Sequence, residues 1–211
     1  NRRARGRSGH RSATPGPDRM QKHVPWTTKC MRFGGGRIDS VAIVAETTYR
    51  PGGIADLEAL AATCVAGFAT YVDFAPAGWH VPTLEEEGEW LAGQLATPGV
   101  WCEIAEHRGE IAGHLIAMPA AASRAPDPEP GLGHLLNLFV RPGSWGSGVA
   151  SGLHGRGMEE ARRRSFASMR LFAAAAQARA RRFYEREGWS APETPPEPEF
   201  GMAIIEYRRP L

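Results

Sequence analysis

The sequence is poor in cysteine, nearly balanced in charge and free of long apolar runs, and each shortage removes a class of function. Its three cysteines, Cys30, Cys64 and Cys102, lie far apart, with no CxxC pair and no Cys/His ligand spacing. An odd, scattered set speaks against a disulfide framework and against a structural zinc site, so no metal is expected. The formal net charge is only +2. Dedicated nucleic-acid binders carry a strongly basic domain, so a nucleic-acid partner is not expected. No eighteen consecutive apolar residues occur, which argues against a membrane span. The N-terminal charges are not followed by an apolar stretch, so a secretory signal is not expected either. These readings point to a soluble, cytoplasmic protein.

The charge is unevenly spread. Arg2, Arg3, Arg5, Arg7, Arg11, Arg19, Lys22 and Lys29 face only Asp18 in the first thirty residues. Residues 1–38 are rich in Arg, Gly, Pro and Ser and lack hydrophobic periodicity. They read as a basic, disordered extension that cannot bury enough apolar surface to offset chain entropy. Residues 39–211 read as one folded domain, long enough to bury an ordinary core.

Within that domain the patterns alternate. Residues 41–44 form a short β-type run. Leu57, Leu60, Ala61, Cys64, Val65 and Phe68 recur at helical spacing over residues 56–72. Thr83 with Glu86 three residues later has capping-box spacing and opens a second helix through Leu95. Residues 100–106 and 111–118 flank a polar connection containing Gly109, a β-hairpin signature. Residues 134–140 are almost continuously apolar, as in a central strand covered on both faces. A glycine loop, a helix to about residue 164, a strand at 167–173, a helix at 177–187 and a strand at 200–207 complete the chain. Residues 192–198 (PETPPEP) read as an extended acidic loop. The predicted order is β-α-α-β-β-β-α-β-α-β, a mixed α/β architecture.

The chemistry begins at Val140-Arg141-Pro142-Gly143-Ser144-Trp145-Gly146-Ser147-Gly148-Val149-Ala150. A strand enters, glycines turn the chain, and a helix starts at once. Glycine lets backbone approach a ligand closely. The first helical N–H groups lack intrahelical partners and lie at the positive end of the dipole, which suits a phosphate or pyrophosphate. A Walker loop would need a lysine that the loop lacks, and a dinucleotide fingerprint is matched only loosely.

Strand, V-x-P, G-x-G-x-A and helix together resemble motif A of the GNAT superfamily of acetyltransferases. Its Q/R-x-x-G-x-G/A falls on Trp145 to Ala150, with Trp145 in place of Gln or Arg. Downstream, Gln177, Ala180, Phe183, Tyr184, Gly188 and Trp189 resemble motif B of the same family, N-x-x-A-x-x-h-Y-x-x-x-G-F, with Gln177 in place of Asn. The resemblance implies a GNAT-type acyl-CoA N-acyltransferase fold, a mixed central sheet with helices on both faces. It also implies acetyl-CoA as co-substrate and acetyl transfer to the primary amine of a small molecule or peptide. Leu138, Phe139, Val140, Trp145, Gly146, Ser147, Gly148, Val149, Ala150, Gln177, Ala180 and Tyr184 would contact the cofactor.

Tyr184 stands where the family places its general acid, and a phenol is well matched to protonating a departing thiolate. Candidates for the base are His134, Glu103 and His80, and His134 is the first choice. Trp79, His80 and Trp90 lie on the segment that roofs the acceptor site in the family, where an aromatic cage for a cationic amine or ordinary packing would account for them, and Asn137 is placed to face the substrate. A catalytically inactive acyl-CoA-binding sensor or regulatory module is the alternative. A homodimer, common in the family, stays open.

Overall fold

The computed structural model describes residues 47–192, 197–199 and 202–211. The basic extension and the run at 41–44 lie outside the described residues. Among the described residues, seven strands form one sheet in the order β1-β2-β3-β4-β5-β7-β6. They are β1 (Thr47–Pro51), β2 (Trp101–His107), β3 (Glu110–Pro119), β4 (Leu132–Val140), β5 (Ser168–Ala174), β6 (Glu197–Glu199) and β7 (Met202–Pro210). The helices are α1 (Leu57–Phe68), α2 (Leu84–Leu95), α3 (Val149–Arg163) and α4 (Ala178–Arg186). All neighbours are antiparallel except β4 and β5.

Local chemistry accounts for the boundaries. The α2 capping box is present in both directions: Thr83 Oγ1 accepts from the Glu86 N–H, and Glu86 accepts from the Thr83 N–H. Arg108 and Gly109, both with positive φ, make the two-residue turn between β2 and β3. The last turn of α4 ends at Gly188, with φ of +86°.

Two departures from the sequence expectation stand out. The edge strand is the polar stretch Thr47–Pro51, which shows little β-type apolar character of its own and is held by pairing to β2. The acidic stretch before the last strand is not wholly loop, because β6 pairs with β7 from Glu197 to Glu199. The described residues therefore contain two strands beyond those expected, while the strand expected at 41–44 lies outside them.

Alternation along the strands builds two cores, one on each face. On the α3/α4 face, Ala105, Leu115, Leu135 and Leu171 pack against Leu153, Met158 and Tyr184. On the other, Cys102, Ile104 and Ile116 pack against Leu60, Cys64 and Leu91 of α1 and α2. The continuous helical stretch Ile54–Asp73 is long and apolar enough, by composition, to cross a membrane. In the fold, Leu60, Ala61, Cys64 and Gly67 are buried.

The glycines of α3 now have a reason. A Cβ on Gly152 would collide with the Tyr49 ring, and one on Gly157 would sit 2.7 Å from Leu115 Cδ1. Both positions let the helix approach the sheet closely. Gly155 faces open space, and nothing in the structure explains it.

Candidate active site

The site is built where β4 and β5 part. Their parallel pairing runs only from Leu132 opposite Ser168 to Leu135 opposite Leu171. Beyond it β5 continues to Ala174 paired with β7, while residues 136–140 of β4 have no paired strand on that side among the described residues. Opposite Ile116 and Ala117 of β3 the register shifts, so that Leu136 is inserted between the paired residues Leu135 and Asn137. Such a bulge bends and twists a strand, here at the point where β4 leaves β5. Arg141 N–H donates to Ala112 of β3, so by alternation Leu138 and Val140 direct their N–H groups into the gap.

A cavity of ≈ 760 Å³ fills this gap. It passes through the sheet. On the α3/α4 face it is lined by Leu138, Val140, Gly146, Gly148, Val149, Ala150 and Tyr184. On the α1/α2 face it is lined by Phe68, Tyr71, Trp90, Asn137, Phe172 and Ile204.

At the first end, Pro142 ends the strand and a 3-10 turn, Pro142–Ser144, follows. Gly146 and Gly148 take φ of +80° and +88°, and a Cβ on either would meet no protein atom within 4 Å. Glycine is required there for backbone conformation and leaves the space beside the loop open. Gly148 caps α3 without any side-chain hydrogen bond, so the first amides of the helix remain available to a ligand. Arg179, Arg182 and Arg186 of α4 line the same cavity. Free helix amides and three guanidinium-bearing side chains thus gather at the mouth of an extended slot.

Tyr184 reaches the cavity from α4, with only 8% of its surface exposed. Phe183, Trp189 and Tyr207 surround its ring. Burial pushes its phenol above the ordinary tyrosine range, with Tyr71 adding to the effect. The phenol therefore stays protonated at neutral pH. Behind it, Trp189 Nε1 donates to His154 Nε2 at 2.9 Å, and His154 Nδ1 lies 3.6 Å from Glu187, which also accepts from Ser151 at the start of α3. The glycine-loop helix and the end of the Tyr184 helix are thus joined by polar contacts, the Trp189–His154 bond among them buried.

Most of the residues singled out in the sequence lie around this cavity: Asn137, Leu138, Phe139, Val140, Trp145, Gly146, Gly148, Val149, Ala150, Gln177, Ala180 and Tyr184. Ser147 turns away, its hydroxyl donating to the Ser144 carbonyl. Four others are not in the lining. His134 is buried behind Phe172, ring centres 5.5 Å apart, and desolvation together with the Arg170 charge pulls its pKa down to about 3. Trp79 stacks on Tyr71 at 5.9 Å and reaches the cavity only through that ring. His80 is exposed on the loop. Glu103 pairs with Arg156 of α3 at 3.3 Å, also outside the lining.

The structure adds a buried polar group that sequence reasoning missed. Cys64 Sγ lies 3.5 Å from His114 Nε2 and 3.9 Å from Asn137 Nδ2. Glu87 of α2 adjoins the same thiol, and desolvation raises its pKa. These side chains back Asn137 from the α1/α2 side. Glu87 stands four residues before the buried Leu91, so its place on the inner face was readable from helical phase. Its neighbours Glu85 and Glu86 in an acidic first turn concealed it. Phe68, Tyr71 and Phe172 were likewise missed as cavity residues, because an aromatic ring on a core face carries no mark of the void beside it.

The family model of the acetyltransferase (GNAT) family matches residues 64–189, more than half of the chain. Solved structures share the fold. The PaiA N-acetyltransferase of Thermoplasma acidophilum, in complex with coenzyme A, superposes with a TM-score of 0.63 at 14% identity, covering 79% of this chain and 99% of that one. The ribosomal-protein-alanine N-acetyltransferase of Brucella melitensis gives 0.61 at 21% identity, covering 78% and 99%. YncA of Salmonella typhimurium, a putative acetyltransferase with its cofactor acetyl-CoA, gives 0.61 at 18%, covering 79% and 94%. No curated protein sequence matches the chain. The chain belongs to the GNAT acetyltransferase family.

Proposed function

We propose that this GNAT acetyltransferase moves the acetyl group of acetyl-CoA to a primary amine by direct attack in a ternary complex. The observation that carries the reading is the cavity through the sheet. Its first end offers uncapped helix amides and arginines to a pyrophosphate, and its second end opens to an acceptor. An extended pantetheine fits the gap beside residues 136–140 as an added strand, meeting the free edge of β4. The Leu138 and Val140 N–H groups then face the thioester oxygen and stabilise the oxyanion that develops on it.

In the reaction the amine nitrogen attacks the thioester carbonyl carbon. A C–N bond forms, the C–S bond breaks, and the thiolate takes the Tyr184 phenol proton. The described lining contains no carboxylate or imidazole, so we assign the proton lost by the amine to water in the cavity. Gln177 accepts a hydrogen bond from the Tyr71 hydroxyl at 3.4 Å, and both lie where the two substrates meet.

Replacing Tyr184 by Phe tests this. Acetyl-CoA binding by calorimetry should persist while thiol release with an amine falls by about two orders of magnitude, the usual contribution of a positioned acid. Unchanged turnover in the variant would remove Tyr184 from the role.

A further inference from the structure

The cavity has two chemically different ends, and we infer that its α1/α2 end selects a primary amine carried on an aromatic or bulky aliphatic body. The inference rests on the acetyl-transfer reading above and concerns the acceptor alone.

Alternation places Leu136, Phe172 and Ile204 on this face of β4, β5 and β7, opposite the face occupied by Leu138, Leu171 and Ile205. Phe68 and Tyr71 close the wall from the end of α1, their rings edge-on at 5.3 Å. Tyr71 is fixed further by the stacked Trp79 and by its bond to Gln177. Trp90 of α2 stands at the rim with 37% of its surface exposed. These rings are anchored on different elements and present faces and edges to one space, an arrangement that strips water from an apolar body and attracts an ammonium.

Charge sorts the same way. The charged residues of the described lining are Arg179, Arg182 and Arg186, all on α4 beside the glycine loop. Among the described residues that line the α1/α2 end there is no cation to receive a substrate carboxylate and no carboxylate to receive a second ammonium, the Glu87 carboxyl lying behind the wall beside Cys64. The polar side chains that an incoming amine meets near the throat, Asn137, Thr70, Tyr71 and Gln177, are all uncharged. A polyamine or an amino acid would bury a charge without a partner, at a large cost in desolvation. A monoamine with an apolar body would bury none once it has lost its proton.

The test is thiol release from acetyl-CoA with 2-phenylethylamine, hexylamine, spermidine, L-alanine and an alanyl peptide, run beside calorimetric titration with acetyl-CoA. The first two amines should exceed the other three at least tenfold in kcat/KM. Trp90→Ala and Phe172→Leu should each raise KM for 2-phenylethylamine several-fold while leaving acetyl-CoA affinity unchanged. The two substitutions differ in burial, so a folding defect in one does not disable the other. Acetyl-CoA binding together with preference for spermidine, L-alanine or the peptide would overturn the inference and leave the transferase reading intact. Binding without turnover of either apolar amine would overturn it as well. Failure to bind acetyl-CoA would instead sink the reading on which it rests.

Discussion

The guanidinium of Arg179 lies over the indole of Trp145, 3.2 Å from the ring centre, and joins the first turn of α4 to the glycine loop. The indole N–H donates to the Val140 carbonyl at 2.8 Å. Trp145 is therefore tied both to the end of β4 and to the helix across the slot, and with Arg179 it also lines a second hollow of ≈ 380 Å³ beneath residues 69–74. Trp145 stands where the family motif has Gln or Arg, and here it takes its hydrogen bond and its cation from within the chain.

Losing the clasp should loosen the loop. A cation–π contact of about 0.5–2 kcal/mol and a hydrogen bond of about 1 kcal/mol are removed together by Trp145→Ala. Acetyl-CoA affinity in calorimetry should fall about tenfold, with little change in thermal midpoint. An unaltered affinity would show that the clasp does not shape the cofactor site.

Gly146 and Gly148 should respond more sharply. Valine at either position must adopt a left-handed conformation that β-branched residues resist, at a cost of roughly 1–3 kcal/mol, and its side chain enters the ligand space. The double variant should lose measurable acetyl-CoA binding while keeping its far-ultraviolet circular dichroism.

The α3 glycines give a test in which sign matters. Gly155→Ala, on an exposed face with open space around it, should stabilise the fold by up to about 1 kcal/mol. Gly157→Ala places a methyl 2.7 Å from a buried Leu115 carbon, and overpacking of about 1–3 kcal/mol should outweigh the same propensity gain. Urea midpoints should move in opposite directions. Stabilisation by both would mean that α3 can slide away from β3 at little cost.

Stability should fall with acid before the carboxylates titrate. Burial holds His114, His134 and His154 at about 4, about 3 and about 4, below the ordinary 6.5. His114 faces Cys64 and Asn137, and His134 faces Arg170. His154 faces Arg209 and Arg162, which lower it, and Glu187, which raises it. The unfolded chain takes up protons below pH 6.5 while the folded chain refuses them until about pH 4. The stabilisation is therefore complete above 6.5 and is lost as pH falls through that window. Each imidazole contributes on the order of 2–3 kcal/mol to the loss. Urea midpoints measured from pH 7.5 to 4.5 should decline steadily, and a flat profile would mean that the imidazoles are solvated.

What the sequence determined by itself was whatever depends on near neighbours in the chain. The Thr83–Glu86 box, the Arg108-Gly109 turn, the helix stop at Gly188 and the glycine loop before α3 all involve groups within a few residues, so composition and spacing suffice. Motif order also placed Tyr184 on its helix. The tertiary structure decided what depends on distant segments meeting. The parting of β4 from β5 after Leu135 and Leu171, the bulge at Leu136, and the aromatic wall assembled from α1, α2 and β5 are products of packing between elements far apart in sequence. The same holds for His134, whose ring is a plausible base on paper. Phe172 and Arg170, brought beside it by the sheet, bury it and depress its basicity, because the free energy of a charge is set by its surroundings and not by its residue type.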